Sequence, residues 1–342
     1  MHLSPGADRG GDSGGSFVTR RQRLGVLILA ALLVALAAGL AFFPRAVSRW
    51  QQRSPGGRMP VPSHGFPVTV MDALGHEVVV PPRTPQRIVS LAPAMTEILF
   101  ALGLERRIVG VTEYCDYPAA AKAKPKIGGI VNPSVERVLA QTPNLVIGMR
   151  LNPKPVLRAL ANAGIPTYAA DPHNIEQVVH TIAAVGALTG RRGQAQELTD
   201  RLRAHVQAVQ ERVNGRTQPT VMLLYSQNPL WVAGGGTFPD HLIRLAGGRS
   251  AASDVRGYKQ YSVEMLLARD PDVIILTSMG SEKDEAQLRG FVQRPSMRAL
   301  SAVRRRRVYV VNADLVDRAG PRIVEGLEQI AGKLHPAAFT RR

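Results

Sequence analysis

One cysteine, Cys115, stands in 342 residues. No intramolecular disulfide can form, so apolar cores must hold the fold. Aromatics make up only 5% of the chain, so the places where they gather are informative. Catalytic signatures are missing: no Gly-x-Ser-x-Gly elbow follows an apolar strand-like run, and there is no His-Glu-x-x-His and no phosphate-binding loop. Cys115 has no histidine in a recognisable partner motif. His173, His180, His205 and His241 are dispersed, whereas a metal carrier needs histidines and carboxylates clustered. The expectation is a non-enzyme without catalytic residues, metal ligands or a cofactor. Acidic residues are in deficit, 26 against 43 basic ones, for a net charge of +17. Close to half of that excess lies in the two tails. The one dense basic run, Arg304 to Arg307, has no aromatics interleaved, so no nucleic-acid partner is expected.

Leu24 to Phe43 is a run of 20 residues without a charge, enough to cross a bilayer core of roughly 30 Å as a helix. Arg20, Arg21 and Arg23 precede it. Arg45, Arg49, Arg53 and Arg58 follow it, so the charge rule leaves its orientation open. Gly39-Leu40-Ala41 is a weak cleavage site, and no cysteine ends the run for lipid attachment. An uncleaved signal anchor is favoured over a cleaved signal peptide. Residues 1–23 then form a disordered cytoplasmic tail and 44–66 a linker. The rest of the chain stands on the periplasmic or outer side of the cytoplasmic membrane.

One stretch occurs twice. Ser134-Val135-Glu136-Arg137-Val138-Leu139-Ala140-Gln141-Thr142-Pro143-Asn144-Leu145-Val146-Ile147 returns 128 residues later as Ser262-Val263-Glu264-Met265-Leu266-Leu267-Ala268-Arg269-Asp270-Pro271-Asp272-Val273-Ile274-Ile275, without a gap. Each copy reads as a Ser cap, an acid in the first helical turn, an apolar stripe, a Pro stop and a strand. Two lobes of similar architecture are expected, residues 67–171 and 216–338.

Short apolar strands alternate with helices in both halves, which predicts parallel sheets covered by helices. Two one-sided apolar stripes, Ile175 to Leu188 and Gln194 to Val213, fill residues 172–215. They predict a stiff helical connector. Ligands of open α/β sheets bind beyond the carboxyl ends of the strands. At that end the first lobe carries Tyr114, Asp116 and Tyr117, then Gly128, Gly129 and Asn132. The second carries Tyr225, Asn228, Trp231, Tyr258, Tyr261, Asp314 and Arg318. Such rims suit a large, planar, partly polar ligand.

Ile88-Val89-Ser90-Leu91-Ala92-Pro93-Ala94-Met95-Thr96-Glu97-Ile98-Leu99-Phe100-Ala101-Leu102-Gly103, together with Val109-Gly110-Val111-Thr112, Tyr114-Cys115-Asp116-Tyr117-Pro118, Gly128-Gly129 and both repeat copies, resembles the substrate-binding proteins of cobalamin and ferric-siderophore ABC importers. The resemblance covers about residues 68–335. It implies two Rossmann-like lobes joined by a long backbone helix, and a monomer that hands its ligand to a permease dimer. Tyr114, Tyr258, Asp314 and Arg318 match cleft positions. Glu136 and Glu264 match the acids that dock into arginine pockets on the two permease subunits. The Tyr114–Pro118 loop leans toward cobalamin; haem or a ferric siderophore is the alternative ligand. Departures are Gly128 or Gly129 where a cobalamin binder has Trp, Leu315 in place of an aromatic, and Asn144 where Asp is usual. A membrane-anchored sensory domain and a chelatase-like enzyme are the readings from other classes.

Overall fold

The computed structural model describes residues 66–81, 83–279 and 284–340. The tail, the uncharged run 24–43 and nearly all of the linker lie outside them. No helix among the described residues is long and apolar enough to cross a membrane.

The first lobe starts with a hairpin. β1 (Val68–Met71) pairs antiparallel with β2 (Glu77–Val80), Val68 opposite Val80. At the turn between them, the Asp72 carboxylate accepts the backbone N–H groups of Leu74 and His76, both at 2.8 Å. Then come β3 (Ile88–Ser90), α1 (Pro93–Ala101), β4 (Ile108–Val111), α2 (Val135–Ala140), β5 (Leu145–Met149), α3 (Lys154–Asn162) and β6 (Thr167–Ala170). The strands form one parallel sheet in the order β4-β3-β5-β6.

Two helices follow. α4 (Ile175–Thr189) is capped by Asn174, whose side chain accepts the Gln177 N–H, and it ends at left-handed Gly190. α5 (Arg192–Val213) has 22 residues, a length of about 33 Å. Arg203 on α5 pairs with Glu176 on α4 at 2.7 Å.

The second lobe runs β7 (Thr220–Gln227), β8 (Leu230–Ala233), α6 (Phe238–Leu245), β9 (Arg249–Ser250), β10 (Tyr258–Gln260), α7 (Val263–Arg269) and β11 (Val273–Ser278). α8 (Asp284–Val292), α9 (Ser301–Arg304), β12 (Val308–Asn312), α10 (Ala313–Val316), α11 (Ile323–Leu334) and α12 (Pro336–Phe339) complete it. His205 of α5 reaches Glu328 of α11 at 3.0 Å, so the connector is fastened to this lobe as well.

The repeat is structural. Ser134 and Ser262 each accept the N–H of the residue three further on, at 3.2 Å. Thr142 and Asp270, matching positions, both take the left-handed conformation. Leu145 faces Ile88 as Val273 faces Val221, and Val146 faces Thr167 as Ile274 faces Val308. Thus β3-β5-β6 and β7-β11-β12 are the same parallel block. Asn144, in place of the usual Asp, accepts the N–H groups of Gln86 and Arg87. Asp272 does the same for Thr220.

One expectation is corrected. The second sheet is mixed, not parallel: its order is β10-β8-β7-β11-β12, with β9 beside β7, and β8 and β10 run antiparallel to their neighbours. The cause is the turn at Asn228-Pro229, which returns the chain as a hairpin where the first lobe uses a helix.

Period-two alternation builds the cores. Ile88, Leu145, Ile147, Tyr168, Val221, Leu223, Val273 and Ile275 all belong to one apolar cluster that also takes in α4, α5 and α11. Their strand neighbours face outward into two separate clusters, one per lobe. The described residues form one compact unit. A core continuous through the connector resists relative motion of the lobes, because hinging would expose close-packed apolar surface.

Candidate functional site

The carboxyl ends of the two sheets meet. Arg318, just beyond α10, donates from Nη1 to Asp116 at 2.7 Å and to Glu97 at 3.4 Å. Its Nε lies 2.8 Å from Asp314, four residues earlier. Asp116 follows β4 and Glu97 is on α1, so these bonds cross from one lobe to the other. Arg322 adds a two-pronged pair with Glu97, Nε to Oε2 at 2.9 Å and Nη2 to Oε1 at 2.7 Å. Its guanidinium lies 3.7 Å from the centre of the Tyr117 ring. The Glu97 side chain is only 3% exposed. A buried carboxylate needs such partners, since losing water costs several kcal/mol per ion.

Electrostatics follow from this packing. Burial pushes the Asp116 carboxyl up, but the hydrogen bond and charge of Arg318 outweigh it and hold the group below its usual value. Burial raises Asp314, with Arg318 only partly opposing. Asp317 is raised most, to about 6: burial dominates, the Tyr258 hydrogen bond opposes it and Asp314 adds to it. The Tyr258 hydroxyl donates to Asp317 Oδ1 at 2.7 Å, while Oδ2 is buried without a partner among the described residues. Burial and the adjacent Asp317 charge keep the Tyr258 hydroxyl protonated, far above its ordinary range.

Aromatic rings stand around this cluster. Tyr225 and Tyr258 meet edge to face with centroids 5.3 Å apart. Burial, Asp317 and Asp314 together raise Tyr225, which places it beside the same acids. Trp231 on β8 is opposite Gln260 on β10. Tyr114, Tyr225, Trp231 and Tyr258 are all exposed, Tyr114 most at 57%. A buried ionic floor flanked by open rings can seat a flat, partly polar molecule.

The remaining expected residues fall as follows. Gly128 and Gly129 are buried in the loop before α2. Gly128 has φ +105°, and a side chain there would meet the Asn132 carbonyl at 2.8 Å; one at Gly129 would collide with Asn132 Oδ1 and lie 3.5 Å from the Tyr114 ring. These two positions therefore let Tyr114 and Asn132 close on the loop. Asn132 is exposed. Asn228 is at the tip of the β7–β8 hairpin and makes no bond to the ionic cluster. Glu136 and Glu264 lie exposed in the first turns of α2 and α7, helices that lead into the amino ends of β5 and β11. Both acids therefore sit at the carboxyl-end edge of their sheets. Tyr261, expected on the rim, is 4% exposed and packs in the second lobe's outer core, because it follows the last β10 residue on the inward side. Cys115 is buried and bonded to the hydroxyls of Thr96 and Thr112, a packed position rather than a reactive one. The histidines have separate partners: His173 with Asp171, His180 with Glu176 and His205 with Glu328, and His241 with the Phe238 ring.

Sequence reasoning missed Glu97, Asp317 and Arg322. The signal for Glu97 was a lone charge within an apolar helix, which has to find a cation. For Arg322 it was the four-residue step from Asp314 through Arg318. A groove of about 660 Å³ lies elsewhere, along the β6 edge of the first lobe between Leu74, His76, Val79, Leu157, Arg158 and Pro166. None of its lining residues belongs to the two rims.

A family profile described as "Periplasmic binding protein" matches residues 88–315. An uncharacterised ABC transporter substrate-binding lipoprotein, YvrC of Bacillus subtilis, is 30% identical over 282 residues, 80% of this chain and 87% of that protein. The vitamin B12-binding protein of Yersinia pseudotuberculosis is 29% identical over 279 residues, 81% and 96% of the two chains. The solved periplasmic heme-binding protein RhuT from Roseiflexus sp. RS-1, in apo form, superposes with a TM-score of 0.65 at 30% identity, covering 74% of this chain and 99% of that one.

Proposed function

The chain belongs to the periplasmic binding protein family, and from that premise we propose that it captures a corrinoid between its two lobes and delivers it to an ABC permease dimer. As in its relatives, the part played is that of a substrate-binding protein of an importer and not of an enzyme. The uncharged run Leu24–Phe43 holds it at the outer side of the cytoplasmic membrane.

The charge of the cleft carries the choice of ligand. Glu97, Asp116, Asp314 and Asp317 bring four carboxyl groups to the cluster, against the two guanidinium groups of Arg318 and Arg322. Haem carries two propionates, and many ferric siderophores are anions; both would meet like charge there. A corrin ring is fringed with amides, which donate hydrogen bonds to carboxylates and phenol oxygens. Tyr114, Tyr225, Trp231 and Tyr258 offer ring faces to the macrocycle, with Asn132, Asn228 and the Gly128–Gly129 loop beside them. Asp314 and Arg318 set its polar edge.

Glu136 and Glu264 dock the loaded protein. They occupy matching positions in the two lobes, so a permease with two equivalent basic pockets fits them. Exposed charges of this kind steer encounter and register more than they add affinity.

Calorimetric titration with cyanocobalamin, haemin and a ferric hydroxamate tests the reading. One-to-one binding of cyanocobalamin, with haemin at least ten-fold weaker, is the expected result. Flat heats for cyanocobalamin beside strong heats for haemin would move the cargo to haem.

A further inference from the structure

The duplication extends to a second exposed pair. Leu151 and Met279 are 128 residues apart, the interval that separates Ser134 from Ser262. Leu151 is 65% exposed and Met279 73%. Single exposed apolar side chains are ordinary; a pair at the same place in two duplicated lobes is not. Leu151 lies just past β5 and Met279 just past β11. At those strands each sheet reverses its order of growth: β4 and β5 flank β3 on opposite sides, as β9 and β11 flank β7. Such a reversal opens a crevice at the carboxyl ends.

Both residues stand on turns that adjoin the loops carrying the cluster described above. Asn152 is buried beside Leu151. Its Nδ2 donates to the carbonyls of Leu91 and Ile130, at 3.0 and 2.8 Å, and its Oδ1 accepts the Met149 N–H at 2.7 Å. Leu151 is thus presented by a pinned turn, next to the loops that lead to Glu97 and to Asn132. On the other lobe, the Thr277 hydroxyl donates to the Tyr225 carbonyl at 3.3 Å, and Ser278 is in register with Asn312, two residues before Asp314. Met279 therefore follows a strand set between Tyr225 and Asp314. Arg318 ties the two rims together, so both turns lie at the same end of the molecule.

We propose that Leu151 and Met279 are fixed apolar jaws, one per lobe, that flank the periphery of the bound macrocycle and set its size selectivity. This rests on the reading of the cleft as the ligand site. Leu151 supplies a fixed contact, while the unbranched thioether of Met279 adapts to the far edge.

Titration calorimetry on the full chain tests the pair, using wild type, Leu151→Ser, Met279→Ser and the double variant, with cyanocobalamin as probe and haemin if wild type prefers it. Each single change is expected to weaken Kd about five- to ten-fold and the double change by about the product. Urea midpoints should stay unchanged, since both side chains are exposed. A double variant with wild-type Kd overturns the proposal. So does one that keeps Kd but stimulates the permease ATPase less, which would give the pair to the membrane partner. A wild type that binds neither probe overturns the cleft reading and the jaws together.

Discussion

Arg322 of the second lobe holds Glu97 of the first with two hydrogen bonds of 2.9 and 2.7 Å. Neither residue is near the other in sequence, and each sits in a largely apolar neighbourhood. Arg322→Ala leaves a buried carboxylate with only the 3.4 Å contact to Arg318. Unfolding free energy should fall by about 3 kcal/mol. Urea denaturation measures it, and a loss below about 1 kcal/mol would show that the pair is not a structural tie.

Asp317 gives a pH signature. Its folded value, about 6, lies above the unfolded aspartate value. The folded state therefore keeps a proton that the unfolded state has lost, and this group's contribution falls as pH rises from about 4 to about 6. The cost above pH 6 is about 3 kcal/mol. Asp317→Asn retains an acceptor for Tyr258, so it should stabilise the protein at pH 7.5 by about that amount and change little at pH 4. Urea midpoints at both pH values decide; a variant less stable than wild type at pH 7.5 would contradict the assignment.

The two serine caps should behave alike. Ser134→Ala and Ser262→Ala each remove one bond to an exposed helix start, at about 1 kcal/mol apiece. The caps are in different lobes, so the double variant should show the sum. Strong non-additivity would mean that the lobes unfold in separate steps.

Charge reversal at Glu136 and Glu264 should separate docking from binding. Replacing both by Arg is expected to abolish ligand-stimulated ATPase activity of the permease at physiological salt, with Kd for the ligand within two-fold of wild type. Both acids are exposed and make no bond across the cleft. A matching loss of affinity would place them in the ligand site instead.

Much of this fold was legible because its signals are local. The Ser–Glu–apolar–Pro–strand stretch announced itself twice, and its capping bonds and left-handed residues are the same in both lobes. The connector helices were equally plain. The mixed second sheet was not, since the Asn228-Pro229 turn looks like any loop until β8 finds its partner. Tyr261 was misplaced because one step along an extended chain moves a side chain to the other face. Glu97, Asp317 and Arg322 were hidden for a further reason. Their roles come from pairings across more than 200 residues or from burial, neither of which leaves a periodic trace. Leu151 and Met279 could have been found by carrying the 128-residue interval past the end of the repeat.

The central claim is that one ligand is held by both lobes at once. Hydrogen exchange of the backbone amides, with and without saturating cyanocobalamin, tests it most directly. The account predicts protection in both rims together, around residues 114–117 and 128–132 in the first lobe and 225–231, 258 and 314–318 in the second. Protection confined to a single lobe, or centred on the groove between Leu74, Leu157 and Pro166, would contradict it.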